Sequence, residues 1–272
     1  MSVRFWGVRG SIPCPGPDAV RYGGNTACVE IRCGDQILIF DAGTGIRPLG
    51  DALMAAGTVV DTDIFLSHCH LDHVIGLPFF APLHTEGVGV RIWAGNLKPA
   101  SGLEDAVRQM MSHPLFPIEI HMFKSEVEFR DFRAGDSFTP RPGIAVRTAP
   151  LNHPGGATGY RIDYGGRSVA YLTDTELGSG SVDPALLSLA KGASLVIIDS
   201  TYTDAELPSH VGWGHASWQQ CVRLADAAGA ERLCLFHHDP DHDDTFMDKV
   251  AAAAGAARPG TIVASEGLRI DL

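Results

Sequence analysis

The stretch Asp63-Ile64-Phe65-Leu66-Ser67-His68-Cys69-His70-Leu71-Asp72-His73 decides how this chain is read. Ile64-Phe65-Leu66 is a short apolar run of the kind that forms a buried strand, expected over Asp63–Ser67. Four side chains able to hold a metal then fall within six residues: His68, His70, Asp72 and His73. Imidazole and carboxylate are the ligands of a borderline divalent ion such as zinc. In extended backbone, positions two apart face the same way, so His68 and His70 can grip one ion. Asp72 and His73, beyond a bend, can reach a second. A chance gathering in a polar loop explains this poorly in a chain with only 12 histidines.

The same grammar extends outward in both directions. Strands are expected at Val3–Gly7, Thr26–Cys33 and Gln36–Asp41, the last two joined by the tight Gly34-Asp35 turn. After the motif come Ile144–Ala149, Ala157–Tyr164, Ser168–Thr173, Ser194–Asp199 and Arg232–Phe236. Helices fit Pro48–Ala56, Gly102–Ser112, Asp183–Ala190, Ser217–Ala228 and Asp244–Ala254, with Asp243 or Asp244 capping the last. Thr261–Ala264 and Leu268–Asp271 read as a closing hairpin. Two sets of mostly antiparallel strands with interspersed helices predict two packed sheets covered by helices on both outer faces. No glycine-rich turn follows the first strand with the helix that a dinucleotide-binding fold needs.

Composition sets the outer bounds. With 272 residues, 45% apolar and 19% charged, the chain can bury a large core, and it shows neither repeat nor linker, so one domain is expected over 1–272. A net charge of −11 disfavours unaided binding to nucleic acid, whose affinity comes largely from Lys and Arg. A small anionic substrate stays open, because a bound cation pair reverses the local field. The opening Met1-Ser2-Val3-Arg4-Phe5-Trp6 lacks a signal-peptide pattern, and no run is long enough to span a bilayer. Cys14, Cys28, Cys33, Cys69, Cys221 and Cys234 are scattered and read as reduced thiols, so a cytoplasmic protein is expected.

The His-x-His-x-Asp-His string resembles the metallo-β-lactamase superfamily, and the resemblance runs from Phe5 to Leu272. It implies an α/β fold: a four-layer sandwich of two mixed β-sheets flanked by helices. It further implies a dinuclear site completed by His153 in Leu151-Asn152-His153-Pro154, Asp174 in Tyr171-Leu172-Thr173-Asp174, and His237 in Leu235-Phe236-His237. His238 competes for the last place, and His237 is preferred because it directly ends the strand. Asp41 in Phe40-Asp41-Ala42-Gly43-Thr44-Gly45 looks like the superfamily's early Asp that steadies the ligands from behind. On this reading His68, His70 and His153 hold one ion and Asp72, His73 and His237 the other, with Asp174 bridging. Zinc is the expected metal, and Mn or Fe suits the same ligands.

Within the superfamily, Asp199-Ser200-Thr201-Tyr202 and Gly214-His215-Ala216-Ser217 are similar to the branch of tRNA 3′-processing endonucleases. By that match Asp199 holds His215, which acts as general acid or contacts phosphate, and Asp72 shares in catalysis. The chain departs from that branch in two ways. Residues 79–135 carry six bases (Arg91, Lys98, Arg108, Lys124, Arg130, Arg133) against seven acids (Glu86, Glu104, Asp105, Glu119, Glu126, Glu128, Asp131), so they cannot form a basic tRNA-gripping arm. They read instead as a lid over a small substrate, with Met110, Met111, His113, Leu115 and Phe116 as wall candidates, or as core. His237-His238-Asp239-Pro240 also lacks the arginine of the branch's continuation. The cyclic phosphodiesterase of phosphonate breakdown is another relative, but Cys14 stands without its cysteine-rich zinc site.

Arg9-Gly10-Ser11-Ile12-Pro13 and Tyr22-Gly23-Gly24-Asn25-Thr26 resemble the glycine-rich entrance of this group, where glycines bring backbone close to the metals and Asn25 can touch substrate. The function these features imply is hydrolysis of a small phosphodiester, such as a cyclic nucleotide, by water activated on a metal pair. Nucleic acid and membrane are not expected partners, and a homodimer is consistent with the branch. Two alternatives stay open: carboxyl ester, thioester or lactone hydrolysis on the same site, and a non-hydrolytic di-iron redox or sensor protein.

Overall fold

The structure is a computed structural model that describes residues 1–57, 61–97, 102–178 and 183–272. Its first half supplies β1 (Ser2–Gly7), β2 (Cys28–Cys33), β3 (Gln36–Phe40), α1 (Ile46–Ala55), β4 (Thr62–Leu66), α2 (Leu71–Val74), β5 (Gly89–Ala94), α3 (Leu103–Met110) and β6 (Glu126–Asp131). The second half supplies β7 (Ser137–Arg141), β8 (Ile144–Leu151), β9 (Ala157–Tyr164), β10 (Arg167–Leu172), α4 (Pro184–Ala190) and β11 (Leu195–Asp199). It continues with α5 (Trp218–Ala228), β12 (Leu233–Phe236), α6 (Asp244–Ala257), β13 (Ile262–Val263) and β14 (Arg269–Asp271).

The strands form two seven-stranded sheets, ordered β14-β1-β2-β3-β4-β5-β6 and β13-β12-β11-β10-β9-β8-β7. Each is antiparallel through one half and parallel through the other, which corrects the expectation of mostly antiparallel strands: β3 through β6 run parallel, as do β10 through β13. Buried parallel strands need apolar side chains on both faces. Accordingly all five residues of β4 and all five of β11 are buried.

Three apolar clusters fill the layers. Between the sheets lie Phe5, Phe40, Phe65, Tyr160, Tyr171 and Phe236, with Phe40 stacked on Phe65 at 5.2 Å between ring centroids. Helices α4, α5 and α6 cover the outer face of the second sheet through Leu186, Leu189, Leu224, Met247 and Val250. Helices α1 and α3 cover the first sheet through Ile46, Leu49, Leu103 and Val107. The expected four-layer sandwich is therefore present.

Local chemistry sets the element ends. Gly34, at φ 61°, opens the two-residue loop between Cys33 and Gln36 that joins β2 to β3. Ser217 begins α5 with a reciprocal box, its hydroxyl accepting from the Gln220 N–H while the Gln220 amide oxygen accepts from the Ser217 N–H. Gly229, in the left-handed conformation, ends the same helix. Asp243 caps α6 by accepting from the Phe246 N–H at 2.7 Å.

The closing hairpin does not form. β13 extends the second sheet beside β12, whereas β14 pairs with β1 in the first sheet. Between them the Glu266 N–H bonds the Tyr22 carbonyl and the Gly267 N–H bonds the Phe5 carbonyl, so the chain crosses from one sheet to the other. The 79–135 stretch contributes β5 and β6 to the first sheet, two strands the sequence did not signal. Of its wall candidates, Met111 is fully buried in the cluster under α1 and α3. Met110 and Leu115 line a recess of about 300 Å³ with Cys69 and Leu71, and Leu115 is 80% exposed. Lys98 lies outside the described residues.

Candidate metal centre

Most of the chemistry-bearing residues sit at or just past the end of a strand, while Asp72 and His73 lie in α2 and His215 in the loop before α5. Asp41 follows β3, His68 and His70 follow β4, His153 follows β8, Asp174 follows β10, Asp199 ends β11 and His237 follows β12. All of these ends but that of β8 belong to the parallel halves of the two sheets, and they meet at one edge of the sandwich. Among the described residues, the ligand atoms of His68, His70 and His153 lie within 4.8 Å of one another, as do those of Asp72, His73 and His237, and two further groups through Asp174 overlap them: His68, His73 and Asp174, and Asp174, Asp199, His215 and His237.

Asp174 stands between the groups with one carboxylate oxygen toward each. Its Oδ2 lies 3.2 Å from His73 Nε2 and 3.3 Å from His237 Nε2, while Oδ1 lies 3.8 Å from His153 Nε2. His153 Nε2 is also 3.1 Å from His70 Nδ1. Asp72 Oδ2 lies 3.0 Å from His73 Nε2 and accepts the Ser11 N–H at 2.8 Å. His238 is in none of these groups, and its Nε2 bonds the Ala264 carbonyl at 2.8 Å.

Asp41 sits behind this set. It is fully buried and accepts from the Ser67 N–H at 2.7 Å, the Ser67 hydroxyl at 2.9 Å and the Tyr171 hydroxyl at 2.7 Å. His73 Nδ1 lies 2.9 Å from its Oδ2. A carboxylate there keeps the proton on Nδ1 and turns the Nε2 lone pair toward the site. His68 Nδ1 meets the Ser67 hydroxyl at 3.0 Å in the same way.

His68 Nε2 is buried and hydrogen-bonded to no described residue, and His73 Nε2, also buried, faces the Asp72 and Asp174 carboxylates at 3.0 and 3.2 Å without a well-directed hydrogen bond. An unpaired buried nitrogen costs free energy unless something takes its lone pair. With carboxylates opposite and imidazoles beside, a divalent cation in each group fits the donor set.

The electrostatics agree. Burial, reinforced by His73, drives His68 well below the ordinary imidazole value, and burial also lowers His153, so both present neutral rings. Burial opposes charge on His73 too, but Asp174, Asp72 and Asp41 together outweigh it and raise that group. Asp174 and Asp72 resist burial and stay ionised, held well below the usual carboxylate range by the surrounding imidazoles.

Beside the groups, His215 Nδ1 lies 2.7 Å from Asp199 Oδ2, and the ring packs between His153 and His237 at centroid distances of 5.3 and 5.2 Å. Burial disfavours its charge, yet Asp199, with Asp174 and Asp72 behind it, pushes the imidazole up to about 9. The hydroxyl of Thr201 donates to Asp199 Oδ1 at 2.7 Å and sits 3.1 Å from His237 Nδ1, tying the two together.

The structure adds residues the sequence left without a role. Arg9 is fully buried and its guanidinium donates to the carbonyls of Gly23, Asp239 and His242, fixing the segment after His237. Ser67, Tyr171 and Thr201 lie next to, or in strands beside, the marked residues, but nothing in their own spacing signals a part. Asn25 is turned away: its side chain donates to Glu266 Oε2 at 3.0 Å. Gly10 does bring backbone against the site, since a Cβ there would lie 2.3 Å from the His237 ring.

Among the described residues four non-glycine residues have left-handed backbone, Ser11, Asp41, Asp174 and His237, and all four touch this site. Such strain persists only where the surroundings impose it, and it gathers at functional sites.

Residues 37–238 match the family model described as the beta-lactamase superfamily domain, and the chain belongs to that family. It is 26% identical over 299 residues to the ribonuclease Z of Myxococcus xanthus, covering 91% of this chain and 92% of that one. Its fold is similar to the short form of human tRNase Z, with a TM-score of 0.70 at 21% identity over 100% and 99% of the two chains. It is also similar to a diphosphatase of the PhnP family, with a TM-score of 0.70 at 18% identity over 100% and 97% of the chains. Family and relatives together mark the chain as a metal-dependent hydrolase. Among the described residues no helix is long and apolar enough to cross a membrane.

Proposed function

We propose that this hydrolase holds two divalent metal ions, zinc by ligand type, and cleaves a small anionic phosphodiester. His68, His70 and His153 would hold one ion, Asp72, His73 and His237 the other, and Asp174 would bridge. The Asp174 carboxylate, with one oxygen facing each group, carries the reading. When bound, the cation pair supplies a water acidified toward hydroxide and positive charge opposite the phosphoryl oxygens.

The chain's own residues supply the rest. Asp41 and Ser67 hold the ligand tautomers, and Asp199 fixes His215 through Nδ1. The Nε2 of His215, bonded to no described residue, is then free to donate a proton to the departing alkoxide. The Asp199 carboxylate at 2.7 Å favours the protonated ring, the form a general acid must take.

A small substrate is supported by the charge of the 79–135 stretch and by how its bases are used. Arg91 pairs with Asp63, Arg108 with Glu104 and Arg130 with Glu128, which leaves Lys124 and Arg133 as the described bases of the stretch without an ion pair, too few to grip a polyanion. A second reading, cleavage of RNA, is favoured by the ribonuclease Z relatives, which match along nearly their whole length. Protein stripped of metal and reloaded with Zn or Mn should hydrolyse bis(p-nitrophenyl) phosphate and leave precursor tRNA and a lactone panel untouched. Cleavage confined to tRNA would establish the second reading, and cleavage confined to lactones would overturn both.

A further inference from the structure

Trp213 is 58% exposed, whereas the other three tryptophans are buried or half-buried. It lies two residues before His215, and the peptides on both sides of it are pinned. The Glu176 carboxylate accepts the N–H of Gly212 at 2.7 Å and of Gly214 at 3.2 Å. The Gly214 carbonyl meets His153 Nδ1 at 3.0 Å, and a Cβ on Gly214 would lie 2.3 Å from the same atom. Glu176 is itself two residues past Asp174, and its N–H bonds the Asn152 carbonyl beside His153. The backbone that carries the indole is therefore tied to the metal centre.

The rings form a continuous series from that centre to the surface. Tyr202 lies edge-on to His215 at 6.0 Å, His210 stacks on Tyr202 at 4.1 Å, and Trp213 stands at 88° to His210 at 4.9 Å. The indole stands at a right angle to His210 and still keeps more than half of its surface open to solvent. An exposed indole is unfavourable in water, and holding it rigidly there makes sense for a surface that receives a flat partner. We infer that Trp213 is a stacking subsite for a nucleobase on the phosphodiester substrate, carried on the pinned backbone two residues before the group that protonates the departing oxygen. The inference rests on the phosphodiester reading above and specifies its substrate class as a nucleotide ester.

Calorimetric titration of metal-loaded protein with adenosine 5′-monophosphate and with ribose 5-phosphate tests this, because the two share the phosphate and differ in the base. Base–aromatic stacking predicts that Trp213→Ala weakens the nucleotide by about tenfold. Ribose 5-phosphate binding should be unchanged, and Trp213→Phe should recover most of the loss. Equal weakening of both probes, or none, overturns the subsite, as does a change of oligomeric state with nucleotide binding intact. If the wild type binds the nucleotide in a Trp213-dependent way but not the sugar phosphate, the subsite stands and the metal–phosphate reading falls. If it binds neither, both fall.

Discussion

Asp41→Asn isolates what a buried carboxylate does for a ligand it never shares with a metal. The substitution keeps shape, and asparagine tolerates the left-handed backbone at φ 59° as well as aspartate does, so the fold is not the variable. Asp41 Oδ2 faces three groups: the hydroxyls of Ser67 and Tyr171, and Nδ1 of His73. An amide can offer one oxygen and one NH2. Placed with its oxygen toward the Ser67 N–H, it turns a donor toward His73 Nδ1, which must then lose its proton to Nε2 and surrender the ligand lone pair. The reverse placement saves His73 but leaves the Ser67 N–H facing a donor in a buried site. Either way the carboxylate's electrostatic support for His73 is lost.

Losses of this kind cost about 10- to 100-fold in metal affinity. That corresponds to about 1.4 to 2.8 kcal/mol at the affected ion. The structure adds an asymmetry that a general destabilisation lacks. Asp41 bonds His73 directly and reaches His68 only through the Ser67 hydroxyl, so the binding step that uses His73 should weaken more than the other. Zinc titration against a chromogenic chelator, with metal content counted by mass spectrometry, resolves the two steps. Wild-type affinity at both sites, or an equal fall at both, refutes the argument.

Three further outcomes follow from the same geometry. His215→Ala should retain both metals and lower kcat by about 10²- to 10⁴-fold, the usual share of general acid catalysis, and loss of metal in that variant would refute its role. Gly10→Ala places a methyl 2.3 Å from the His237 ring and should cost the Asp72–His73–His237 site its ion while the circular dichroism spectrum stays unchanged; full occupancy would show that the loop yields. Glu206 resists partial burial, and its bond to His242 holds its carboxyl below the ordinary value, so it stabilises the fold above that value and stops doing so as acid protonates it. Glu206→Gln should therefore melt lower than wild type at pH 7, and the gap should close toward pH 3; a gap that is the same at both pH values removes the ion pair from the account.

The parts of the fold legible in the sequence were those whose cause is local. The apolar run before His68 announces β4, the Ser217–Gln220 box and Gly229 bound α5, and Asp243 marks the start of α6. β6 was missed because it alternates exposed and half-buried residues around four charges (Glu126, Glu128, Arg130, Asp131), the pattern of a sheet edge rather than a core. The supposed final hairpin failed for a different reason. Two short β segments with a Gly267 turn between them are locally a hairpin, and only the separation of β12 and β1 into different sheets sends them apart. The site divides the same way. Four ligands within six residues are visible at once, whereas Thr201 and Tyr171 acquire meaning only from the distances that folding sets.

The two sheets explain why those distances come out as they do. Each has a parallel half whose strands end together, as parallel strands must, and the sandwich brings both sets of ends to one edge. A side chain beyond such an end would ordinarily continue outward, and the left-handed turns at Asp41, Asp174 and His237 redirect it inward. Glycine would make those turns at less cost but carries no ligand, so the ligand-bearing residues themselves must adopt the strained conformation. The buried, unpaired Nε2 of His68 adds to that cost. Strain and an unpaired nitrogen both disfavour the metal-free fold, and bound cations would offset them, so the stability of this site depends on occupancy.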